Sequence, residues 1–220
     1  MTTAPAAPTR TLHLAQLHLE ARSRAVHQDL NDATKLHNTV QSLFPDTLGD
    51  TPRAATHTLF RLEREQAGAV LLIQSTLPIN RNALPRGYAH HLAHRDLGPL
   101  LDWITEGRLV RYRIDANPIK TTFVRGQRGK RTPVTGAEAL AWWERQAHKA
   151  GLANQLALDL PQPPVRGTRN NSKPILLRAM RFEGVATVTD ADALRAAITV
   201  GIGQGRAYGL GLLSIAPYRP

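Results

Sequence analysis

Apolar positions along the chain change their period several times, and each change marks an element. Residues 11–20 (TLHLAQLHLE) alternate apolar and polar side chains with one break of phase, the pattern of a strand with one buried face. A polar turn containing Arg22, Ser23 and Arg24 follows. Asp32 can cap a helix, and Leu36, Val40, Leu43 and Phe44 recur at i, i+4, i+7 and i+8. That spacing predicts a helix over 33–44, stopped by Pro45. Residues 56–63 and 69–76 read as two strands joined tightly at 65–68. Val70, Leu71, Leu72 and Ile73 make the second the more buried. Pro78, Pro85 and Gly87 mark loop, and 97–105 reads as a short helix.

A second unit starts near Arg108. Residues 109–116 form a strand, 119–124 and 132–134 flank a basic loop, and 136–149 form a helix with Leu140 and Trp143 on its apolar side. Residues 161–164 read as an extended connector, and 175–181 with 183–188 as a hairpin. Asp190 caps a helix through Ile198, and 210–216 is a closing strand. Strand, helix, strand, strand, helix, strand is the ferredoxin-like order. The first half shows the same beginning with a weaker tail. The expected fold is α+β, with two tandem ferredoxin-like (βαββαβ) domains over 1–100 and 105–220. No sequence repeat is visible between them, and the fold alone does not settle activity.

Charge narrows the function. The chain has 220 residues, with 28 Lys and Arg against 17 Asp and Glu, a net charge of +11 that points to an anionic partner. A lipid binder would present a basic amphipathic helix. Here the predicted helices carry mixed charge, and the densest basic stretch, Arg125, Arg128, Lys130 and Arg131, lies among glycines in a loop, which suits phosphate contact. Aromatics make up 5% of the chain, too few for a surface built to stack unpaired bases. An RNA partner would therefore be read by phosphate and helix shape. With no Cys, the chain holds no disulfide, thiolate zinc site or Cys nucleophile, and it suits a cytoplasmic location. No apolar run approaches the ~18 residues of a membrane helix, residues 1–11 show no signal-peptide pattern, and Thr2–Arg10 reads as a disordered extension.

Two clusters invite chemical readings. Gly201, Gly203, Gly205, Gly209 and Gly211 fall in one run, GIGQGRAYGLG. It fails the dinucleotide fingerprint, because Tyr208 occupies the sixth position and the helix precedes the strand. Two readings stand: a turn with packing glycines, or a loop whose N–H groups approach phosphate beside Arg206. Of nine histidines, His90 and His94 have helical metal-site spacing but no intervening Glu, and they read as surface residues of a linker. His37 lies outside the apolar stripe of its helix, and by pattern alone is a solvated residue.

Taken together, several segments resemble the CasE family of CRISPR-associated endoribonucleases, RAMP-superfamily proteins that process precursor CRISPR RNA in type I-E systems. These are LHLEARSRAVHQDLNDATKLHNTVQSLFPD, VLLIQSTLP, RYRIDANPIKT, SKPILLRAMRFEGVATVTD and GIGQGRAYGLGLLSIAP, in the family's order over nearly the whole chain. The resemblance implies two ferredoxin-like domains, a metal-independent cut at the base of the repeat hairpin with no cofactor, and retention on the mature crRNA with other Cascade subunits. It implies a monomer outside that complex and no membrane. In the family the RNA's own 2′-OH attacks the adjacent phosphate, leaving a 2′,3′-cyclic phosphate, and His37 stands where the catalytic His stands. Many relatives carry Tyr where this chain has Thr34, which can donate a hydrogen bond but lacks a phenol's reach and acidity. Lys35, Arg22, Arg24 and Arg206 are candidates for a cation beside the phosphate. The resemblance also places Arg166, Arg169, Lys173 and Arg178 in or near a basic hairpin against the RNA stem, and Gly201, Gly203 and Gly205 along its backbone. A non-catalytic RAMP subunit that holds guide RNA predicts the same fold and charge, and the two readings divide at His37. A basic structural protein, such as a ribosomal component, fits the charge but not two ordered units.

Overall fold

In a computed structural model, residues 11–45, 47, 55–66, 68–123, 129–169 and 173–219 are described. Thr2–Arg10, Arg125, Arg128 and the Arg169 side chain lie outside that set. The first unit opens with β1 (His13–Leu19), continues through α1 (Arg24–Asn31) and α2 (Ala33–Gln41), and adds β2 (Leu59–Glu65), β3 (Gly68–Ser75) and β4 (Ala89–Asp96). The sheet order is β2-β3-β1-β4, with every neighbouring pair antiparallel. This is ferredoxin-like order with one substitution: a short 3-10 turn at Arg81–Ala83 stands where the second helix would cross. Tyr88, from the loop that follows, fills the core there instead.

The phase break in β1 has a physical cause. Ala15, Leu17 and Leu19 face α1 and α2, packing with Val26, Leu36 and Val40. Leu12 belongs to the core of the second unit, and Leu14 packs against it. One strand thus serves two cores. The short helix α3 (Gly98–Trp103) also contributes to the second core through Leu101, and Leu97 N donates to Leu12 O at 2.7 Å.

The second unit contains β5 (Leu109–Ala116), α4 (Ala137–Lys149), β8 (Leu152–Pro161), β11 (Met180–Val188), α5 (Ala191–Val200) and β12 (Ser214–Pro217). Its order, β12-β5-β11-β8, repeats the ferredoxin-like arrangement of the first sheet. Two hairpins are inserted: β6 (Ile119–Thr122) with β7 (Lys130–Pro133) after β5, and β9 (Val165–Arg169) with β10 (Lys173–Leu177) between β8 and β11. The core is aromatic. Trp143 stacks on Phe182 with centroids 5.5 Å apart and donates Nε1–H to Tyr112 Oη at 3.0 Å. Asp190 caps α5 as its sequence position suggests, accepting from Ala193 N at 2.9 Å.

Four elements differ from the sequence expectation. The polar stretch at Arg22–Arg24 leads directly into α1, whose core positions are Val26 and the carboxylate Asp29, so its apolar stripe is hidden. His90 and His94 lie on the edge strand β4 rather than in a linker, and His94 Nε2 sits 3.2 Å from His13 Nδ1. An edge strand with mostly exposed residues needs no apolar alternation. The expected hairpin of 175–181 with 183–188 does not form. Residues 173–177 pair with β9, and β11 lies between β8 and β5. The strand that takes the vacant place, β8, alternates Leu156, Leu158 and Leu160, all with exposed side chains.

The units are joined by buried polar contacts. Arg61 of β2 is 2% exposed. It donates to Glu63 Oε1 (2.9 Å), Leu212 O (3.1 Å) and Ser214 Oγ (3.0 Å). Glu63 also meets Arg113 Nη1 at 2.9 Å and Arg181 Nη1 at 3.7 Å. Burial alone would raise the Glu63 carboxyl, but the guanidinium of Arg61, with those of Arg181 and Arg113, outweighs it and holds the group below the usual carboxylate range. Gln74 Nε2 adds a bond to Ile198 O at 2.7 Å.

Candidate nucleic-acid interface and catalytic site

The site is built around α2. Asp32 Oδ1 caps the helix by accepting from Thr34 N at 2.8 Å. Thr34 Oγ1 donates to Thr168 O of β9 at 3.0 Å, so its hydroxyl fastens the β9–β10 hairpin to the start of α2. The approach is close because residue 167 is glycine. A Cβ there would lie 3.0 Å from both Asp32 Oδ1 and Thr34 Oγ1. One turn further along α2, the half-buried His37 faces the glycine run, its ring centroid 6.2 Å from that of Tyr208 at an interplanar angle of 58°.

Tyr208 ends a 3-10 turn (Arg206–Tyr208) held between Gly205 and Gly209, both in the left-handed region at φ 85° and 83°. Only glycine enters that region without strain, and a Cβ on Gly209 would lie 3.0 Å from the Phe60 ring. Gly201 and Gly203 also have positive φ, and Gly201 admits the Leu59 side chain. Ile202 N donates to Gly211 O, and Gly211 N to Asp115 O. The run is thus an ordered loop that packs on β2 and aims Tyr208 at His37. The packing role of these glycines is visible in the structure. Arg206 donates Nη1–H to Val200 O at 3.0 Å, satisfying a carbonyl at the end of α5.

The other sequence candidates fall into groups. Arg166 and Lys173 are exposed on the β9–β10 hairpin, with Arg178 exposed just beyond it. Lys130 and Arg131 are exposed on β7, where Arg131 Nη1 reaches Gln204 Oε1 in the glycine run at 3.4 Å. Both basic hairpins therefore touch the elements that frame His37, one through Thr34 and one through Gln204. Lys35 is exposed on α2, and Arg22 and Arg24 lie at the start of α1. Among the described residues, no three His, Asp or Glu side chains converge as a metal site would require. Sequence reasoning missed Tyr208 as a neighbour of His37. It stood in the run only as the residue that broke a glycine spacing, and nothing local says that a loop some 170 positions away folds onto α2.

The arrangement offers one imidazole, one phenol and exposed cations on two hairpins that touch the elements beside them. It suits an anionic chain that must be gripped and have a proton moved beside it. No helix among the described residues is long and apolar enough to cross a membrane.

Comparison with known proteins agrees over nearly the full length. The chain is 30% identical over 218 residues to the CRISPR-associated endoribonuclease Cse3 of Thermus thermophilus, covering 93% of this chain and 99% of that protein. It is 29% identical over 198 residues to the CRISPR system Cascade subunit CasE of Escherichia coli (strain K12), covering 84% and 92%. Among solved structures, Thermus thermophilus Cse3 bound to an RNA representing a pre-cleavage complex superposes with a TM-score of 0.79 at 28% identity, covering 94% of this chain and all of that one. The family model described as CRISPR associated protein matches residues 12–217, and the chain belongs to that family.

Proposed function

We propose that this protein is an endoribonuclease that cuts precursor CRISPR RNA at the repeat hairpin and remains on the product as a subunit of a Cascade complex in the cytoplasm. The carrying observation is the placement of His37 between Tyr208 and the helix terminus to which the β9–β10 hairpin is fastened. The names of the similar Cse3 and CasE proteins support the same reading. The chain acts as a monomer outside the complex, with residues 1–100 and 105–220 as its two domains.

The chemistry needs no group beyond RNA and protein. The 2′-hydroxyl oxygen attacks the adjacent phosphorus as its proton is removed. The O2′–P bond forms, the P–O5′ bond breaks, and the leaving 5′-oxygen takes up a proton. The products are a 2′,3′-cyclic phosphate and a 5′-hydroxyl. His37 handles one of the two proton transfers, a task imidazole suits because its ordinary pKa is about 6.5. Thr34 holds the hairpin through its bond to Thr168 rather than acting on the phosphate. The exposed Arg166, Lys173, Lys130 and Arg131 grip the stem through phosphates. A hairpin whose nucleotide 5′ of the cut carries 2′-deoxyribose tests the proposal. It is expected to bind like the ribose form and stay intact, whereas cutting of the deoxy substrate contradicts 2′-OH attack.

A further inference from the structure

A carboxylate on α1 takes no part in the cleavage chemistry. Asp29 is 6% exposed in a chain of charge +11. Among the described residues no cation pairs with it; its hydrogen bond is from Tyr88 Oη to Oδ2, at 2.7 Å. Burial, reinforced by Asp29 itself, pushes the Tyr88 phenol well above its ordinary range, so Tyr88 stays protonated and remains the donor. A buried carboxylate with a single neutral partner is costly unless its remaining acceptor capacity is used.

Asp29 lines a pocket of about 200 Å³ between the α1–α2 corner, β2 and the connector from β8 to β9. Phe60, Leu62 and Leu36 give it apolar walls, and Arg166 stands at the β9 side. Tyr208 lines it too, so the ring that neighbours His37 also bounds this pocket. We infer that the pocket receives one nucleobase of the bound RNA, from a nucleotide flanking the scissile phosphate, with an amino group of the base donating to Asp29. The inference rests on the RNA-cleaving function proposed above. A carboxylate repels phosphate and accepts from N–H or O–H groups; a ribose hydroxyl could donate too, but only the flat base also matches the apolar walls, so of the parts of a nucleotide the pocket favours the base. Guanine, adenine and cytosine present an amino group. Uracil presents one N–H between two carbonyl oxygens that would face the carboxylate. The aromatic and aliphatic walls suit the flat faces of a base, and Arg166 suits the phosphate beside it.

The test uses the full chain and hairpin RNAs in which each of the two nucleotides flanking the cut is in turn G, A, C, U or abasic. Affinity and single-turnover cleavage rate are measured for the parent, Asp29→Asn and the pocket-filling Leu62→Trp, each first checked for a native melting transition. At one of the two positions, uracil or an abasic site is expected to lower binding or rate about tenfold relative to an amino-bearing base in the parent. That difference is expected to shrink in Asp29→Asn, which offers an amide in place of the carboxylate, and also in Leu62→Trp. 2-Aminopurine at the same position should lose fluorescence on binding the parent and keep it with Leu62→Trp. A parent that cuts all bases alike at both positions overturns the pocket while leaving the endoribonuclease intact. So does a base preference that persists undiminished in both variants. A parent that binds no hairpin RNA overturns both.

Discussion

Arg61→Ala isolates what burial does to an ion pair, because Glu63 meets three arginines and the two nearest, Arg61 and Arg113, lie in different environments. The Arg61 side chain is 3% exposed, and that of Arg113 is 43% exposed. Removing Arg61 leaves Glu63 without its nearest cation and strips the carbonyl of Leu212 and the hydroxyl of Ser214 of their donor. Breaking a buried pair from one side costs about 3–5 kcal/mol. Removing the half-exposed Arg113, which Glu63 shares with Glu183, costs about 1 kcal/mol. Urea unfolding of the parent and the two variants at pH 7, compared at equal m, reads the difference. The Glu63 carboxyl is held down in the folded state, so its contribution is full above its unfolded pKa of about 4.3 and fades as pH falls through the lower folded value. The gap between the variants is therefore expected at pH 7 and narrows only in acid. Equal losses for Arg61→Ala and Arg113→Ala, or a larger loss for Arg113→Ala, would refute the argument that burial sets the magnitude. Because Leu212 and Ser214 follow the glycine run, the same substitution is expected to slow cleavage.

Other expectations concern the site. Gly167→Val puts a branched side chain where a Cβ already meets Asp32 and Thr34 at 3.0 Å. Cleavage at saturating protein should fall on the order of tenfold to a hundredfold as the hairpin shifts, and an unchanged rate would show that hairpin docking does not position the RNA. Tyr208→Phe should keep the His37 ring in place and cut near the parental rate, whereas Tyr208→Ala should cut roughly tenfold more slowly with unchanged affinity. Loss of affinity at unchanged rate in Tyr208→Ala would assign the ring to binding. Replacing Lys130 and Arg131 by Ala should reduce the slope of log K against log salt by about 1 for each phosphate no longer neutralised, measured by filter binding.

Much of this architecture was legible in the sequence where one face of an element is buried. β5 spans the residues its pattern predicts, α2 begins after its Asp32 cap, and Asp190 starts α5. The pattern failed where burial is one-sided in an unexpected way. β4 is an exposed edge, α1 spends a core position on Asp29, and β8 turns its leucines to the open face. The site was legible in part. His37 and the basic hairpin could be named from the resemblance, and Asp32 as a cap from local chemistry. Tyr208, Gly167 and Asp29 could not, because their significance is a contact between distant segments. Local sequence carries no signal for the 134 positions separating Thr34 from Thr168.

The central claim is that His37 moves a proton for an RNA-cleaving site. The most direct test is single-turnover cleavage of a cognate repeat hairpin in excess EDTA by the parent and His37→Ala, with binding followed on the same samples. The account predicts that both proteins bind equally, that the parent produces a 2′,3′-cyclic phosphate end, and that His37→Ala produces none. Equal cutting by both, or binding without cutting by the parent, would contradict it and leave a protein that holds guide RNA or cleaves through another residue.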